Sequence, residues 1–274
     1  MSNVADVQGR KYPGFGRCIY CAATGLLKDE HIIPLSLGGN AVIEKASCAD
    51  CEKITSYLDG YLARSLYNEY RSHVGVPSRR KKARPTTLSA SFFKEDGTVI
   101  VGNYPAKEQP YFLLMPIWHP PGIALGKESS PIFENQQTHA YWFVSEDIKH
   151  WVDTQNAKLG VWIDINYSTF GRALARIAFC QAVAVRRLDG FDPLDIPALI
   201  LGKYPNVPHY VGVTCELPPP PDPPKVTHKI EIQDYFAGGK TYLLVSVRLF
   251  AHSGYKENGM PIYRIIVGVP KYAD

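Results

Sequence analysis

The stretch CIYCAATGLLKDEHIIPLSLGGNAVIEKASCADC, residues 18–51, decides how the N-terminal part of this chain folds. It begins and ends with a Cys-x-x-Cys pair, and 26 residues separate the two pairs. Each pair places two thiolates on one tight turn, and four thiolates satisfy a tetrahedral zinc ion. The spacing therefore predicts a structural zinc site formed by Cys18, Cys21, Cys48 and Cys51. Four protein ligands leave no open position for water or substrate, so this site explains stability and not catalysis.

Buried free thiols and a redox role are the alternatives for these cysteines. The chain has six cysteines, and Cys180 and Cys215 stand apart from the two pairs. Without a recognisable secretory leader, paired Cys-x-x-Cys units favour metal over disulfides. The gap is longer than the roughly 15–20 residues of simple two-knuckle zinc sites, so we expect a structured segment between the pairs.

That segment carries an acid and a base side by side, Glu30 and His31. Hydrolysis of a phosphodiester needs a base that deprotonates water and a hard cation that stabilises charge on the phosphate. Histidine titrates near neutral pH, and a carboxylate suits magnesium or manganese. Neighbouring side chains of a strand point to opposite faces, so the two residues can serve one site only if the strand twists or ends there.

In the order and spacing of these motifs the chain resembles the HNH nuclease superfamily, in particular ββα-metal nucleases clamped by a four-cysteine zinc. The resemblance covers residues 17–72 and rests on Cys18-x-x-Cys21, Glu30-His31-x-x-Pro34, Gly38-Gly39-Asn40 and Cys48-x-x-Cys51, followed by a helix. It implies that His31 is the general base, that Glu30 binds a catalytic divalent cation, and that Asn40 braces the loop carrying the histidine. Gly-Gly-Asn is also simply a good turn, so the role of Asn40 stays open.

The second ligand of the catalytic cation is ambiguous. Many members of the superfamily place His or Asn directly after the last zinc cysteine, where this chain has Glu52. Asp59 follows seven residues later, and about 100° per residue returns it to nearly the same helical face. We slightly prefer Asp59, with solvent exposure of both carboxylates as the alternative. A site of Glu30 with either carboxylate favours magnesium or manganese over a second zinc.

Positive charge is concentrated in the first third of the chain. The net charge is +4, and residues 1–85 hold 13 Lys and Arg against 8 Asp and Glu. This asymmetry suggests a polyanionic partner, and we predict DNA. The densest run supplies the candidate phosphate contacts, Arg79, Arg80, Lys81, Lys82 and Arg84. A solvated linker is the alternative reading of such a charge run.

The order of these features predicts the domain organisation. We expect a loose lead-in at residues 1–16, an HNH nuclease domain at 17–75, a basic linker at 76–85 and a larger α+β domain with an antiparallel sheet at 86–274. Within these regions, patterns predict a helix over 51–73, a hairpin through Asp96-Gly97, a helix over 168–188 and a tight turn at Gly238-Gly239. The role of residues 86–274 is left open by the sequence.

The sequence thus predicts a metal-dependent HNH endonuclease that hydrolyses phosphodiester bonds in DNA. The alternatives are a non-catalytic, zinc-stabilised module that binds nucleic acid, and a redox protein that uses its Cys-x-x-Cys pairs. No stretch approaches the ~20 apolar residues of a membrane span, and the N-terminus lacks the apolar core of a signal peptide. A cytoplasmic location without a membrane partner is therefore the default expectation, and the sequence does not indicate an oligomeric state.

Overall fold

The computed structural model describes residues 3–4, 9–76, 86–108, 110–154, 156–160, 164–214, 217–255 and 258–272. The predicted α+β class is confirmed, with helices and mainly antiparallel strands. Outside the described residues lie Cys215 and the predicted DNA contacts Arg79, Arg80, Lys81, Lys82 and Arg84. Across the described ranges, none of the helices combines the length and apolarity needed to cross a bilayer.

The N-terminal unit is a hairpin followed directly by a helix. It consists of β2 (Lys11–Tyr12), β3 (Leu27–His31), β4 (Val42–Cys48) and α1 (Ala49–Tyr61). Strands β3 and β4 are antiparallel, with His31 opposite Val42, and β2 adds a parallel strand beside β4. The β3–β4 register shifts between Lys28 and Glu30, and β3 ends at His31. The strand is thus irregular and ends at His31, which is the condition under which neighbouring side chains can face one site.

The predicted helix over residues 51–73 is present but interrupted. After α1 the chain forms one π-helical turn, Leu62–Leu66, and a second helix, α2, runs over Asn68–His73. The Tyr67 N–H donates to the Leu62 carbonyl, a bond spanning five residues, and Tyr67 itself leaves helical geometry at φ −124°. This wider turn accompanies burial of the Tyr67 ring, which packs edge-on against Phe250 with centroids 4.8 Å apart.

The middle of the chain forms two smaller sheets. Their elements are β5 (Thr87–Lys94), β6 (Val99–Pro105), β7 (Tyr111–Ile117), β8 (Gln137–Phe143), α3 (Glu146–Thr154) and β9 (Ala157–Gly160). Strand β5 lies between β6 and β9, and β7 pairs with β8. The hairpin predicted at Asp96-Gly97 joins β5 and β6: Gly97 adopts a φ of 84°, and Asp96 accepts a 2.8 Å bond from the Thr98 N–H.

The C-terminal half is built on a long helix and the main antiparallel sheet. The elements are α4 (Tyr167–Arg186), β10 (Phe191–Asp192), α5 (Ile196–Ile200), α6 (Val207–Tyr210), β11 (Val211–Val213), β12 (Lys229–Ala237), β13 (Lys240–Arg248), β14 (Gly254–Tyr255), β15 (Asn258–Gly259) and β16 (Tyr263–Pro270). Among the described residues six strands form this sheet, with β1 (Asn3–Val4) at one edge beside β12. The predicted turn at Gly238-Gly239 links β12 to β13, and both glycines have positive φ.

Helix α4 lies at the centre of the apolar core. It packs against β13 and β16 and, elsewhere on its surface, against α1 of the N-terminal unit. Leu58 of α1, Phe170 of α4 and Leu243 of β13 are fully buried in one continuous cluster. The Asn166 N–H, just before α4, donates a 2.8 Å bond to the Tyr61 hydroxyl. The segments on either side of residues 76–85 therefore fold against each other and share a core.

A histidine joins the main sheet to the turn that follows the predicted catalytic motif. The Nε2–H of His228 donates to the Leu37 carbonyl at 2.9 Å, and its Nδ1 accepts from the Phe250 N–H at 3.3 Å. This bonding pattern requires the neutral ring, since a proton on Nδ1 would face another donor. Burial lowers the pKa of His228 to about 4.

We expect stability to fall with acid partly through His228. Its pKa is about 6.5 in an unfolded chain and about 4 in the native state, so between these pH values the unfolded state binds the extra proton. The contribution of His228 to the free energy of unfolding is complete above about pH 6.5. As the pH falls to about 4, this free energy decreases by about 2–3 kcal/mol. Urea unfolding of the wild type and of His228→Gln across this range measures the difference in slope. Parallel pH dependence of the two proteins would contradict the prediction.

Candidate active site and cysteine cluster

The sulfur atoms of Cys18, Cys21, Cys48 and Cys51 converge on one point. Their Sγ atoms all lie within 4.8 Å of one another, and those of Cys21 and Cys48 are 3.6 Å apart. Zinc–sulfur bonds of about 2.3 Å in a tetrahedron separate sulfurs by about 3.8 Å. The cluster therefore fits a structural zinc ion, as the two Cys-x-x-Cys pairs predict.

Local backbone geometry prepares both halves of this cluster. In the first half, the Ala22 N–H donates to the Cys18 carbonyl at 2.9 Å, and Ala22 takes a left-handed φ of 60°. In the second half, Cys48 ends β4 and Cys51 lies in the first turn of α1. The cluster thus fastens the loop before β3 to the junction between β4 and α1, so it encloses the hairpin.

The protonation of the thiols also depends on their closeness. Burial and the neighbouring cysteine thiols raise the pKa of Cys51, whereas a hydrogen bond from the Cys51 backbone lowers the pKa of Cys48. Zinc binds thiolates, so a bound zinc ion would keep all four sulfurs deprotonated despite these opposite shifts of the Cys51 and Cys48 pKa values.

Glu30 is held by an arginine from the distant helix α4. Glu30 is only 3% exposed, and its Oε1 accepts bonds from Arg176 Nη2 at 2.6 Å and Nε at 3.0 Å. The third nitrogen, Nη1, donates to the Ile32 carbonyl at 3.0 Å. Arg176 is 1% exposed, so the ion pair is inside the protein. Its guanidinium contacts the residues on both sides of His31.

Asp59 joins the same ion-pair network. Its Oδ2 lies 3.4 Å from Arg176 Nη2, the atom that also contacts Glu30. Burial alone would lower the pKa of Arg176, but the charges of Asp59 and Glu30 outweigh it and raise this pKa well above its ordinary value. Arg176 is therefore a permanent cation in contact with Glu30 and Asp59, two of the three carboxylates that the sequence predicts as metal ligands.

Glu52 lies elsewhere. Its carboxylate pairs with Lys28 of β3, and both side chains are partly exposed. Glu52 and Asp59 share a helical direction, but seven residues at 1.5 Å each separate them by about 10 Å along α1. This rise brings Asp59 beside Glu30 and leaves Glu52 opposite the earlier part of the strand.

His31 and Asn40 occupy the two ends of the turn region. His31 is partly buried, next to the fully buried Glu30, at the end of β3. Between them the chain forms a 3₁₀ turn, Leu35–Leu37, and passes Gly39, where a Cβ would collide with the Ile33 carbonyl. The exposed Asn40 accepts a 2.6 Å bond from the Gly9 N–H, so its side chain ties the lead-in to the hairpin.

Sequence reasoning missed Arg176. Its position carried a signal, because Arg176 is a charge among apolar neighbours on a helix whose residues 173–183 are all buried. Nothing in the sequence spacing indicated that this charge would meet Glu30, 146 positions away.

A second buried polar pair lies next to the ion-pair network. The hydroxyl of Tyr20 and the sulfur of Cys180 are 3.2 Å apart, and both residues are buried. Burial raises the pKa of Cys180 to about 12. Since the thiolate is the reactive form, Cys180 is an inert structural thiol.

Comparison with known families agrees with part of this picture. Residues 18–66 match the family model described as HNH endonuclease. The matched segment contains the cysteine cluster, Glu30, His31 and Asp59, and it ends before the helix that carries Arg176. No curated protein and no solved structure matches the chain. The resemblance to HNH nucleases is therefore confirmed for this segment.

Proposed function

We propose that this chain is an endonuclease that hydrolyses phosphodiester bonds in DNA, with residues 18–66 as its catalytic module. The observation that supports this best is the match of this segment to the HNH endonuclease family, together with the convergent cysteine cluster. A nuclease-type module acts on nucleic acid in general. We also propose DNA as the substrate and a role for each residue of the site.

His31 is the proposed general base. Its imidazole takes a proton from the attacking water, and its partial exposure at the end of β3 leaves it accessible to a substrate. The four-cysteine cluster fixes the hairpin that carries His31, and Asn40 steadies the same region through Gly9. Cys18, Cys21, Cys48 and Cys51 would hold a zinc ion for rigidity, and four protein ligands would leave no position for the phosphate.

A divalent cation, Mg²⁺ or Mn²⁺, would be held by Glu30 and Asp59. Two carboxylates that face one point are the donor set that such hard cations prefer. When bound, the cation would supply electrostatic stabilisation of the charge that develops on the phosphate oxygens. We favour Asp59 over Glu52 because Asp59 shares a contact atom with Glu30, whereas Glu52 pairs with Lys28.

The basic run is proposed to bind the DNA backbone. Lysine and arginine neutralise phosphates regardless of base sequence, which gives affinity that depends on salt concentration. The residues proposed for this contact are Arg79, Arg80, Lys81, Lys82 and Arg84.

Cleavage of supercoiled plasmid in Mg²⁺ or Mn²⁺ tests the proposal. Loss of a general base typically slows a reaction about 10²–10⁴-fold, so we expect His31→Ala to reduce nicking to this extent. Zinc content and the circular dichroism spectrum of His31→Ala should match the wild type, since His31 is not in the cluster. Equal cleavage by the two proteins would end this mechanism.

A second candidate function is a zinc-stabilised module that binds nucleic acid without cutting it. The observation that favours it is the neutralisation of Glu30 by Arg176. It predicts a gel shift with DNA and no nicking in any divalent metal. Metal-dependent nicking that is lost in His31→Ala would exclude it.

A further inference from the structure

We infer that the Arg176 guanidinium takes the place between Glu30 and Asp59 that a divalent cation would need, so that arginine and cation exclude each other there. This inference rests on the proposed function for the identity of the pair as cation ligands. It assigns to Arg176, which lies outside the matched segment, control over when the nuclease module can bind metal.

Distances provide the first reason. Arg176 Nη2 lies 2.6 Å from Glu30 Oε1 and 3.4 Å from Asp59 Oδ2, so this one nitrogen is within ion-pair distance of both carboxylates. A magnesium ion requires oxygen ligands at about 2.0–2.1 Å in near-octahedral geometry. A cation bound by both of these oxygens at such short distances would lie against the Arg176 Nη2 that both oxygens already contact. The guanidinium must therefore leave before the pair can bind metal.

Charge balance provides the second reason. Glu30 and Asp59 together carry two negative charges, and Arg176 neutralises one of them. Arg176 alone leaves one net negative charge, beside the partly exposed Asp59, and a divalent cation alone would leave none. A cation beside the retained guanidinium would instead add positive charge next to the buried Arg176, which is unfavourable. The pair accordingly accommodates one of the two cations at a time.

The surroundings of Arg176 explain which state the protein adopts without metal. The guanidinium has a third acceptor, the Ile32 carbonyl, and it is held on a helix buried along most of its length. Displacement of the guanidinium costs these bonds. The apparent cation affinity is therefore reduced in proportion to the fraction of molecules in which Arg176 has left the two carboxylates. Asp59, whose side chain is 26% exposed, provides the side from which a cation can approach.

Mn²⁺ binding to Arg176→Met, measured by isothermal titration calorimetry and by thermal unfolding, tests the inference. Methionine keeps an apolar stem and removes the charge. The matched control is Arg172→Met, one turn earlier on α4, where the guanidinium instead bonds the Ile200 carbonyl. We expect Arg176→Met to bind Mn²⁺ at least about 10-fold more tightly than the wild type or Arg172→Met, and to be stabilised by it.

Asp59→Asn identifies the binding site. We expect the gain in Arg176→Met to disappear in the double variant Arg176→Met/Asp59→Asn. If Arg176→Met unfolds without metal, refolding with and without Mn²⁺ replaces the titration, and recovery only with Mn²⁺ supports the inference. The inference would be overturned by an Arg176→Met variant that shows no gain in Mn²⁺ affinity, or that does not recover on refolding with Mn²⁺. It would also be overturned if the wild type bound Mn²⁺ as tightly as Arg176→Met and Asp59→Asn abolished that binding.

These outcomes are separable from failure of the proposed function. If Arg176→Met binds Mn²⁺ more tightly but neither the wild type nor the variants cleave DNA, the nuclease proposal is contradicted and the mutual exclusion of arginine and cation is supported. Cleavage that depends on His31, with no gain in Mn²⁺ binding, would keep the nuclease and remove the exclusion.

Discussion

Glu30→Ala is expected to lower the free energy of unfolding by about 3–5 kcal/mol, the typical cost of removing one partner of a buried ion pair. The substitution removes the acceptor of two bonds from Arg176 and leaves the guanidinium buried. Asp59 compensates only in part, because it lies 3.4 Å away and does not take over the bond to Nε. Denaturant unfolding at neutral pH measures this cost as a lower transition midpoint. The slope of the unfolding free energy against denaturant concentration should be unchanged.

Glu52→Ala is the matched control. Glu52 also joins α1 to β3, through Lys28, but this pair is partly exposed and is expected to contribute about 0–1 kcal/mol. The double variant Glu30→Ala/Arg176→Met should recover much of the loss, since no unpaired charge remains from this pair. Similar costs for Glu30→Ala and Glu52→Ala would show that burial of the Arg176 pair has no energetic consequence.

The parts of the fold that sequence predicts well are those set by short spacing. The two Cys-x-x-Cys pairs act through turns of four residues, and the structure brings all four sulfurs together. The hairpins at Gly97 and Gly238-Gly239 follow from positive φ, which glycine adopts without strain. The long helix α4 follows from its apolar periodicity, and its observed bounds lie within two residues of the predicted ones.

The parts that sequence does not predict depend on contacts between distant segments. Arg176 meets Glu30 because α4 packs against α1 of the N-terminal unit, and no local pattern encodes that packing. The interruption of the helix at Tyr67 likewise coincides with burial of its ring against Phe250, a contact between distant segments. Glu52 and Asp59 could not be separated by helical angle alone, because the difference between them is their height along α1.

Loss of the zinc ion that the four-cysteine cluster would hold is expected to have the largest effect on this protein. The free energy of binding a structural zinc is about 10–16 kcal/mol in small zinc peptides, comparable to the whole stability of a domain. Because the cluster encloses the β3–β4 hairpin, its loss frees the strand that carries Glu30 and His31. The buried Arg176 then loses its partner, so the destabilisation extends into the shared core.

Cys51→Ser tests this expectation without a chelator. Cys51 is buried at the start of α1, so we expect its loss to abolish bound zinc, to expose residues 18–66 to limited proteolysis and to remove any nuclease activity. Cys180→Ala is the control for loss of a buried thiol: it should keep one zinc per chain in elemental analysis, because Cys180 bonds Tyr20 and lies outside the cluster. Retention of zinc and of protease resistance by Cys51→Ser would mean that the four sulfurs do not form the zinc site. The hairpin would then be held in place by Arg176 and the core alone.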